Sequence, residues 1–278
     1  MEFICDNIDD LYIMLAKAVL TEGNKIVIRK KEVTELLSVS ITLTDASKDN
    51  FLRNTDRKLS MRYAFGELLW YLSGSKSLSF ISHYAKSYSI FSDDNNTLNG
   101  AYGPRIMPFI NSIIDLLRED PSTRRAVINI YNNNDIGNPS NDIPCTVSLQ
   151  FFIRKDKLIL QTYMRSNDLY LGVPYDIFSF TFLQKYIASK LNIDVGSYYH
   201  YVSNLHIYKQ HYDFFSNITN RLNNSIEYEL PSLNNVIQNL DSILILEEKL
   251  RAGENLTSKK FEYFPESKKI INILKGKN

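Results

Sequence analysis

Cys145 is a candidate nucleophile, because the surrounding sequence places its thiol at the start of a strand. It follows Pro144 and a polar, loop-like segment, and it precedes an apolar alternation that predicts a strand over 146–154. A strand end opens onto a cleft, where a thiolate can attack electron-poor carbon. Arg165 lies near the end of the strand predicted to pair with this one, and a guanidinium favours the thiolate. A buried, unreactive cysteine is the structural alternative.

Arginines at the ends of predicted strands are suited to bind a phosphate. Arg124 and Arg125 directly precede a strand, and Arg165 with Ser166 follows another. A planar guanidinium matches phosphate oxygens with two hydrogen bonds. Because adjacent residues of an extended chain point to opposite sides, one site rarely uses both members of such a pair. A solvated basic pair is the alternative for Arg124 and Arg125.

Two carboxylates in predicted helices also require an explanation. Glu67 lies among apolar residues, where a buried carboxylate needs a polar partner or a chemical role. Asp176 is in the first turn of a strongly apolar helix, where the helix dipole alone favours a negative charge. His206 and Tyr208 lie close together after a strand, and a hydrogen-bonded structural pair is their alternative interpretation.

The elements that position these residues are predicted from the periodicity of the apolar side chains. Strands and helices do not alternate regularly, which indicates an α+β protein with a large sheet packed by helices. No repeat or linker divides residues 1–278, so we expect a single domain. Helices are predicted over 9–20, 57–72, 109–117, 174–191 and 208–215, and strands over 25–29, 37–43, 126–131, 146–154, 158–164 and 198–205.

The composition excludes several classes of protein. Lys and Arg total 32 against 31 Asp and Glu, so a strongly basic protein that coats polymeric nucleic acid is not expected. The two cysteines, Cys5 and Cys145, exclude a disulfide framework and favour a reducing compartment, so we expect a cytoplasmic protein. No apolar run approaches the roughly 20 residues of a membrane span. The sequence contains no metal-ligand cluster, P-loop or glycine-rich dinucleotide motif.

Six short strings together resemble the thymidylate synthase superfamily. Each is weak by itself, but all six occur in the family's order and spacing over most of the chain. They are ELLWYLSG at 67–74, AYG at 101–103, PSTRR at 121–125, PC at 144–145, RSNDLYLGVPY at 165–175 and HIY at 206–208. The resemblance implies an α+β subunit with a large mixed sheet, and a homodimer joined sheet to sheet.

The resemblance also implies a reaction. Cys145 would attack C6 of a pyrimidine nucleoside monophosphate, and C5 would then take a one-carbon unit from 5,10-methylenetetrahydrofolate. Glu67 would organise the water network and proton transfers around the base and the folate. Tyr102 would assist near C5.

Binding roles follow from the same resemblance. The 5′-phosphate would be bound by Arg29, Arg165 and Ser166, and Arg124 and Arg125 would reach the phosphate bound in the other subunit. Asp176 would contact the base. The sugar hydroxyl would be bound by His206 and Tyr208. The folate would be held by Asp168, Gly172, Tyr88 and Phe91. The segment around Arg29 is shorter than the family's loop.

Asp176 is the departure from the family that bears on substrate choice, because thymidylate synthases carry Asn there. The donor and acceptor of Asn suit the O4 and N3–H of uracil. Cytosine has an amino donor at C4 and a bare N3. A carboxylate accepts from that amino group and favours a protonated N3. Asp at this position resembles the deoxycytidylate 5-hydroxymethylase branch.

Further departures concern access of water. Thymidylate synthases end in an apolar tail that closes over the folate, whereas the basic segment 259–278 is expected to be loosely held. If water rather than hydride reaches the methylene carbon on C5, the product is hydroxymethyl. Thr146 replaces a common His, and Tyr88 or Phe91 replaces a Trp of the folate wall.

The leading interpretation is therefore a deoxycytidylate 5-hydroxymethyltransferase that uses methylenetetrahydrofolate. The alternatives are CMP as the substrate, C5 methylation of dCMP or dUMP, and a non-catalytic nucleotide- or RNA-binding relative. Ser166 favours dCMP over CMP, and the presence of Cys145, Glu67, Arg165 and Asp168 favours an enzyme.

Overall fold

The computed structural model describes residues 1–220, 225–254, 264 and 266–277. Among them, no helix has the length and apolar character that crossing a membrane demands. The strands are β1 (Glu2–Cys5), β2 (Asn24–Ile28), β3 (Lys31–Leu43), β4 (Val127–Asn129), β5 (Thr146–Arg154), β6 (Lys157–Met164), β7 (Asn167–Asp168) and β8 (Asp194–Tyr208). The helices are α1 (Ile8–Glu22), α2 (Met61–Leu72), α3 (Leu78–Tyr84), α4 (Gly103–Ile106), α5 (Ile110–Glu119), α6 (Val173–Leu191), α7 (Tyr212–Thr219), α8 (Leu233–Gln238), α9 (Leu240–Arg251) and α10 (Ser267–Leu274).

The chain folds as two compact units. The first comprises Met1–Leu59, Ile110–Asn133 and Cys145–Glu227, and the second comprises Ser60–Phe109, Asn134–Pro144 and Tyr228–Asn278. The expectation of one domain over 1–278 stays a prediction.

The eight strands belong to the first unit and form one mixed sheet. Their order is β1–β3–β8–β6–β5–β4, with β2 paired to β3 and β7 paired to β8. The long strands β3 and β8 are antiparallel, whereas β6 and β8 are parallel. Helices α1, α5, α6 and α7 belong to the same unit. The predicted α+β class with a large mixed sheet is confirmed.

Helix α6 is the buried helix of the first unit, as its apolar sequence predicts. Pro174 stands in its first turn, where a missing N–H leaves no helical hydrogen bond unmade. Asn192, with a φ of 56°, ends it in the left-handed conformation typical of helix C-termini. The buried Gln184 donates its amide to the Leu158 carbonyl at 2.8 Å, which ties α6 to β6.

Two tight hairpin turns, at opposite ends of the sheet, set the register of the strands that they join. Lys155 and Asp156, with φ of 51° and 56°, join β5 to β6 as the charged sequence predicts. Arg29 and Lys30, with φ of 49° and 67°, join β2 to β3 in the same way. Arg29 therefore belongs to a turn rather than to the end of the predicted strand, and its side chain is exposed.

Several boundaries differ from the prediction because caps and pairing are decided by local hydrogen bonds. Helix α2 begins at Met61 rather than at residue 57, because the Ser60 hydroxyl accepts from the Tyr63 N–H at 3.2 Å and caps it. Tyr208 ends β8 instead of starting a helix, since it pairs with Val33 of β3. Cys5 lies in β1, a strand that was not predicted, and pairs with Leu43 of β3.

The described part of the second unit contains helices α2, α3, α4, α8, α9 and α10. The ring of Tyr84 packs against Gly66 so closely that a Cβ there would lie 2.3 Å from it, so this position requires glycine. The buried carboxylate of Glu247 accepts from the Tyr84 hydroxyl at 2.8 Å and from Arg251 Nε at 3.0 Å. These bonds join α3 to α9.

Helix α10 corrects the expectation of a loosely held C-terminal segment. Its apolar side chains Ile270, Ile273 and Leu274 are buried. Arg62 of α2 donates from Nε to the Leu274 carbonyl at 3.0 Å. The expectation is therefore wrong for Ser267–Leu274, because its apolar positions follow a helical period and pack within the second unit. Residues 259–263, 265 and 278 lie outside the described residues.

Lys185 of α6 generates a prediction about stability. It is only 7% exposed, its Nζ donates to the Lys48 carbonyl, and burial lowers its pKa to about 8. Below pH 8 the folded chain bears the full cost of a buried charge. Between about pH 8 and 10.5 the folded state loses this proton first, and the cost is relieved. We expect Lys185→Met to raise the free energy of unfolding by about 1–3 kcal/mol at pH 7.

Denaturant unfolding at pH 7, 8.5 and 10 measures this effect, and the gain should shrink as the pH rises. Lys190→Met, at an exposed position of the same helix, is the control and should show no such trend. A gain that is the same at all three pH values would contradict the assignment to Lys185.

Candidate active site

Cys145 and Arg165 lie side by side in the first unit. The Arg165 N–H donates to the Cys145 carbonyl at 2.9 Å, next to the paired residues Thr146 and Met164. Cys145 is half-buried, whereas Thr146 is fully buried with its hydroxyl 3.0 Å from the Met164 sulfur. A register shift between Thr146 and Ser148 breaks the regular pairing here, as bulges do near strand ends. The structure thus brings together the two residues that the sequence predicts to be neighbours.

Tyr208 lies in the same region as three other predicted site residues. Burial raises the pKa of the Tyr208 phenol above its ordinary value, with Asp168 and Cys145 acting in the same direction and Arg29 acting against them. Because charge interactions weaken with distance, all of these groups lie near the end of β8.

His206 is held on β8 opposite the short strand β7. It pairs in register with Asp168, and its ring meets the Tyr208 ring edge-on at 5.2 Å. His206 Nδ1 donates to the Asn204 side-chain oxygen at 3.1 Å, and the Asn204 amide donates to Glu35. Because the Asn204 side-chain oxygen can only accept, His206 Nδ1 is the donor in this bond.

Asp168 organises the turn that leads into α6. Its Oδ1 accepts from the N–H groups of Tyr170 at 2.7 Å and Leu171 at 3.1 Å. The Tyr170 ring is sandwiched between the Arg57 guanidinium at 4.1 Å and the His211 ring at 3.8 Å. Arg57 also donates to the Tyr170 carbonyl at 2.9 Å. Sequence reasoning missed Arg57 and His211, which are far from the loop in sequence and match no motif.

Asp176, in the first turn of α6, faces Asn167 of β7. Its Oδ2 accepts from the Asn167 amide nitrogen at 2.7 Å. A Cβ at Gly172 would lie 3.2 Å from both Asn167 Oδ1 and Asp176 Oδ2, so glycine leaves room for the pair. Asn167 was not predicted as a site residue, and its only signal was its position inside the string RSNDLYLGVPY. Ser166, which precedes it, is half-buried.

Arg124 and Arg125 lie before β4, at the edge of the sheet, and both are exposed. The Gln150 amide donates to the Arg124 carbonyl at 3.0 Å, and the Arg125 N–H donates to the Thr123 hydroxyl at 3.2 Å. These contacts fix the backbone while the side chains reach the surface. The Arg125 carbonyl also accepts from the Val127 N–H at 2.8 Å.

Glu67 lies in the second unit among three tyrosines. Tyr63 and Tyr71 are one helical turn before and after it on α2, and Tyr88 comes from the 3₁₀ segment Lys86–Phe91. Tyr63 donates to Glu67 Oε1, and Tyr88 donates to the same oxygen at 2.8 Å. Burial raises the pKa of Glu67 above its ordinary value, while hydrogen bonds from Tyr63, Tyr88 and Tyr71 act against that rise. The spacing of four residues was the overlooked signal for Tyr63 and Tyr71.

Tyr102 and Phe91 extend this aromatic cluster. Tyr102, half-buried before α4, packs on Tyr71 with ring centroids 5.1 Å apart. Phe91 meets Tyr88 edge-on at 5.9 Å and is 40% exposed. The second unit thus brings together Glu67, Tyr88, Phe91 and Tyr102. These four are the predicted site residues in the described part of that unit.

Comparison with known proteins adds the family. Residues 10–250 match the thymidylate synthase family model. The chain belongs to the thymidylate synthase family. Over 221 residues it is 33% identical to a protein of Bacillus phage SP01 named deoxyuridylate hydroxymethyltransferase, an alignment covering 73% of this chain and 57% of that protein. The chain therefore spans little more than half the length of this relative. The resemblance inferred from the six strings is confirmed.

The buried carboxyl of Glu67 generates a prediction. Because its folded pKa is raised, the ionised form costs stability at neutral pH, and that cost is absent below the ordinary carboxyl pKa. Gln keeps an oxygen that accepts from Tyr63 and Tyr88. We expect Glu67→Gln to raise Tm at pH 7.5 by roughly 2–4 °C, the shift that about 1 kcal/mol produces in a protein of this size. Turnover should fall about 10²- to 10⁴-fold.

Thermal unfolding at pH 4 and pH 7.5 measures the first effect, and the difference from wild type should vanish at pH 4. Glu248→Gln, at an exposed position of α9, is the control. A difference of the same size at both pH values would exclude a raised pKa at Glu67.

Proposed function

We propose that the chain is a pyrimidine nucleoside monophosphate C5 hydroxymethyltransferase that acts on dCMP. The observation that carries the choice of base is the carboxylate of Asp176, held at the start of α6 with one oxygen on the Asn167 amide. Membership of the thymidylate synthase family supports one-carbon transfer to a pyrimidine nucleotide. The name of the phage relative supports hydroxymethyl as the transferred group.

Asp176 selects the base by what it can accept. An ionised carboxylate accepts hydrogen bonds and donates none, so it suits the 4-amino group of cytosine and a protonated N3. Facing uracil, the same group meets the lone pairs of O4 and leaves a buried acceptor without a donor. Protonation at N3 also draws electrons from the ring and makes C6 more open to attack.

Cys145 is the nucleophile in this proposal. Its thiolate adds to C6, and the electron pair of the C5–C6 double bond moves to C5, which forms the new bond to carbon. Loss of the C5 proton would let the bond between the new carbon and the folate nitrogen break, which releases tetrahydrofolate. Water would then add to that carbon and lose a proton, and the Cys145 sulfur would depart as C5–C6 becomes double again. Arg165, bonded through its backbone to Cys145, favours the thiolate.

Glu67 handles the proton transfers in the proposed reaction. Its raised pKa brings a carboxyl closer to the pH at which it can both accept and give a proton. Tyr63 and Tyr88 fix its orientation and supply hydroxyl groups that can relay a proton. Tyr102, packed on Tyr71, is assigned to the water and protons near C5.

5,10-Methylenetetrahydrofolate supplies the one-carbon unit when it is bound. Asp168 fits a pterin, because two backbone N–H groups hold its carboxyl group in place and its oxygens can accept from the N–H donors of a pterin. Gly172 adds no side chain beside it. Tyr88 and the partly exposed Phe91 offer aromatic surface of the kind that a flat ring system contacts.

The remaining site residues bind the phosphate and the sugar. Arg165, Ser166 and the exposed Arg29 donate to the 5′-phosphate. His206 and Tyr208, at the end of β8, hydrogen-bond the sugar hydroxyl. The substrates are small metabolites rather than polymeric nucleic acid, and we place the reaction in the cytoplasm.

The active form in this proposal is a homodimer joined through the sheet. Three tyrosines form a stack on one half-exposed face, with Tyr163 and Tyr201 at 5.1 Å and Tyr199 and Tyr201 at 6.4 Å. Such an aromatic face is typical of a subunit interface. Arg124 and Arg125, exposed at the sheet edge, then reach the phosphate bound by the partner subunit.

A second candidate is the same reaction on dUMP. It is favoured by the name of the phage relative, deoxyuridylate hydroxymethyltransferase. The two candidates differ in the base that Asp176 faces, so one experiment separates them.

Base choice is tested by kcat/KM for dCMP and dUMP with methylenetetrahydrofolate, measured for the wild type and Asp176→Asn. We expect the wild type to prefer dCMP by on the order of 10²-fold, because a site built for one polar pattern leaves groups unpaired with another. Asp176→Asn should narrow or invert the preference. Product masses identify hydroxymethyl or methyl, and CMP as a third substrate tests the sugar.

A wild type that prefers dUMP would overturn the cytosine assignment and support the second candidate. A preference for dCMP that survives Asp176→Asn unchanged would remove Asp176 from base recognition.

The shared site is tested by mixing two inactive variants. Cys145→Ala should bind nucleotide without turnover, and Arg124→Ala/Arg125→Ala should be strongly impaired. In a hybrid dimer, the Arg-deficient subunit keeps Cys145 and receives arginines from its partner. We expect mixing to restore about one quarter of wild-type sites, the statistical share for random pairing in a dimer.

The matched control mixes Cys145→Ala with Arg165→Ala. Both residues are assigned to the same subunit's site, so no hybrid site is complete. Rescue in the control, or none in the test pair once subunit exchange is established, would exclude a site shared in this way.

A further inference from the structure

We infer that Asn167 is a specificity-determining residue that positions the Asp176 carboxylate for base recognition. This inference rests on the proposed function, in which Asp176 faces the base. Asn167 is the first residue of β7 and is only 3% exposed. It is fixed by the pairing of β7 with β8, where it lies opposite Leu205.

The bond between the two side chains is the first observation. Asn167 Nδ2 lies 2.7 Å from Asp176 Oδ2, the short distance typical of a hydrogen bond to an ionised acceptor. An amide donor stabilises the charged carboxylate over the neutral acid. It thereby keeps Asp176 an acceptor and prevents it from acting as a hydroxyl donor toward a carbonyl such as O4 of uracil.

The other end of the Asn167 amide is the second observation. Among the described residues, no donor reaches its buried Oδ1. Leaving a buried acceptor unpaired is unfavourable, so the side chain is not optimised for stability. Turning the amide over would place this oxygen against the Asp176 carboxylate. The orientation of the Asn167 amide is therefore set by Asp176. Its unpaired oxygen is explained by the need to direct the amide nitrogen at that carboxylate.

The consequence concerns the direction of the carboxylate. The bond from Asn167 to Oδ2 restrains rotation of the Asp176 carboxylate about its terminal torsion, and so restrains the direction of its second oxygen. Gly172 maintains this arrangement, because a side chain there would begin 3.2 Å from both Asn167 Oδ1 and Asp176 Oδ2. Base discrimination thus depends on a pair of residues, one of which never touches the base.

A double-mutant cycle tests the inference. kcat and KM for dCMP and dUMP are measured for the wild type, Asn167→Ala, Asp176→Asn and the double variant. We expect Asn167→Ala to lower the dCMP:dUMP ratio of kcat/KM about tenfold, a coupling typical of hydrogen-bonded neighbours. In the Asp176→Asn background the same change should alter the ratio by less than about threefold. Equal effects in both backgrounds would overturn the positioning role.

Stability separates positioning from packing. Asn50 is a matched control, being 1% exposed with its amide donating to the carbonyls of Ala46 and Lys48 at 3.3 and 3.1 Å. Asn50→Ala should lower Tm and leave the ratio unchanged, whereas Asn167→Ala should lower the ratio with a smaller loss of Tm. The reverse pattern would assign Asn167 to packing alone.

Asn167→Asp is the second variant, used with Asn167→Ala in case the smaller side chain impairs folding. It keeps the shape but removes the amide donor, so it should lower the ratio too, and an unchanged ratio would overturn the inference. Failure of the proposed function is distinguishable from this failure. If the wild type prefers dUMP, the choice of base is wrong, yet non-additivity measured on dUMP still decides whether Asn167 acts through Asp176.

Discussion

The pairing of β6 and β7 with β8 is the constraint on which the first unit depends. Backbone hydrogen bonds fix this register, and side chains alternate between the two faces of a strand. A slip of one residue would turn every side chain of β7 to the opposite face. The same register places Asp168 opposite His206 and leaves Asn167 against the start of α6. The same backbone hydrogen bonds therefore hold the sheet together and fix the positions of the predicted site residues on β7 and β8.

The second unit solves a different problem, which is the burial of an acid. On α2 a carboxylate is enclosed by apolar neighbours, and a spacing of four residues supplies tyrosines on the same face as Glu67. Hydroxyl groups satisfy the carboxylate without neutralising it by a cation. Its proton affinity is therefore set by the balance between desolvation and hydrogen bonds, and small changes in either alter it.

Much of this arrangement follows from the sequence, because local patterns decide local structure. The alternation over β5 and β6 and the apolar run of α6 predict the elements, and the pairing of two strands predicts that Cys145 and Arg165 are neighbours. The roles of Asn167, Arg57 and His211 could not be predicted, because side-chain contacts that no motif encodes define them. Arg57 and His211 are also far in sequence from Tyr170, which they contact. The C-terminal helix was misjudged because its lysines obscure its buried isoleucines. In addition, Arg62, which donates to its Leu274 carbonyl, lies on α2, 212 residues earlier.

That last contact has a consequence for how the chain is made. Arg62, near the start of α2, donates a hydrogen bond to the Leu274 carbonyl. The helix that carries Glu67 therefore completes its packing with a segment synthesised much later. Contacts of such long sequence separation close slowly, because the loop between them must first be ordered. During translation the sheet strands up to β8 can pair while α2 still lacks part of its surroundings. Helix α2 would then complete its packing only when residues 267–274 have left the ribosome.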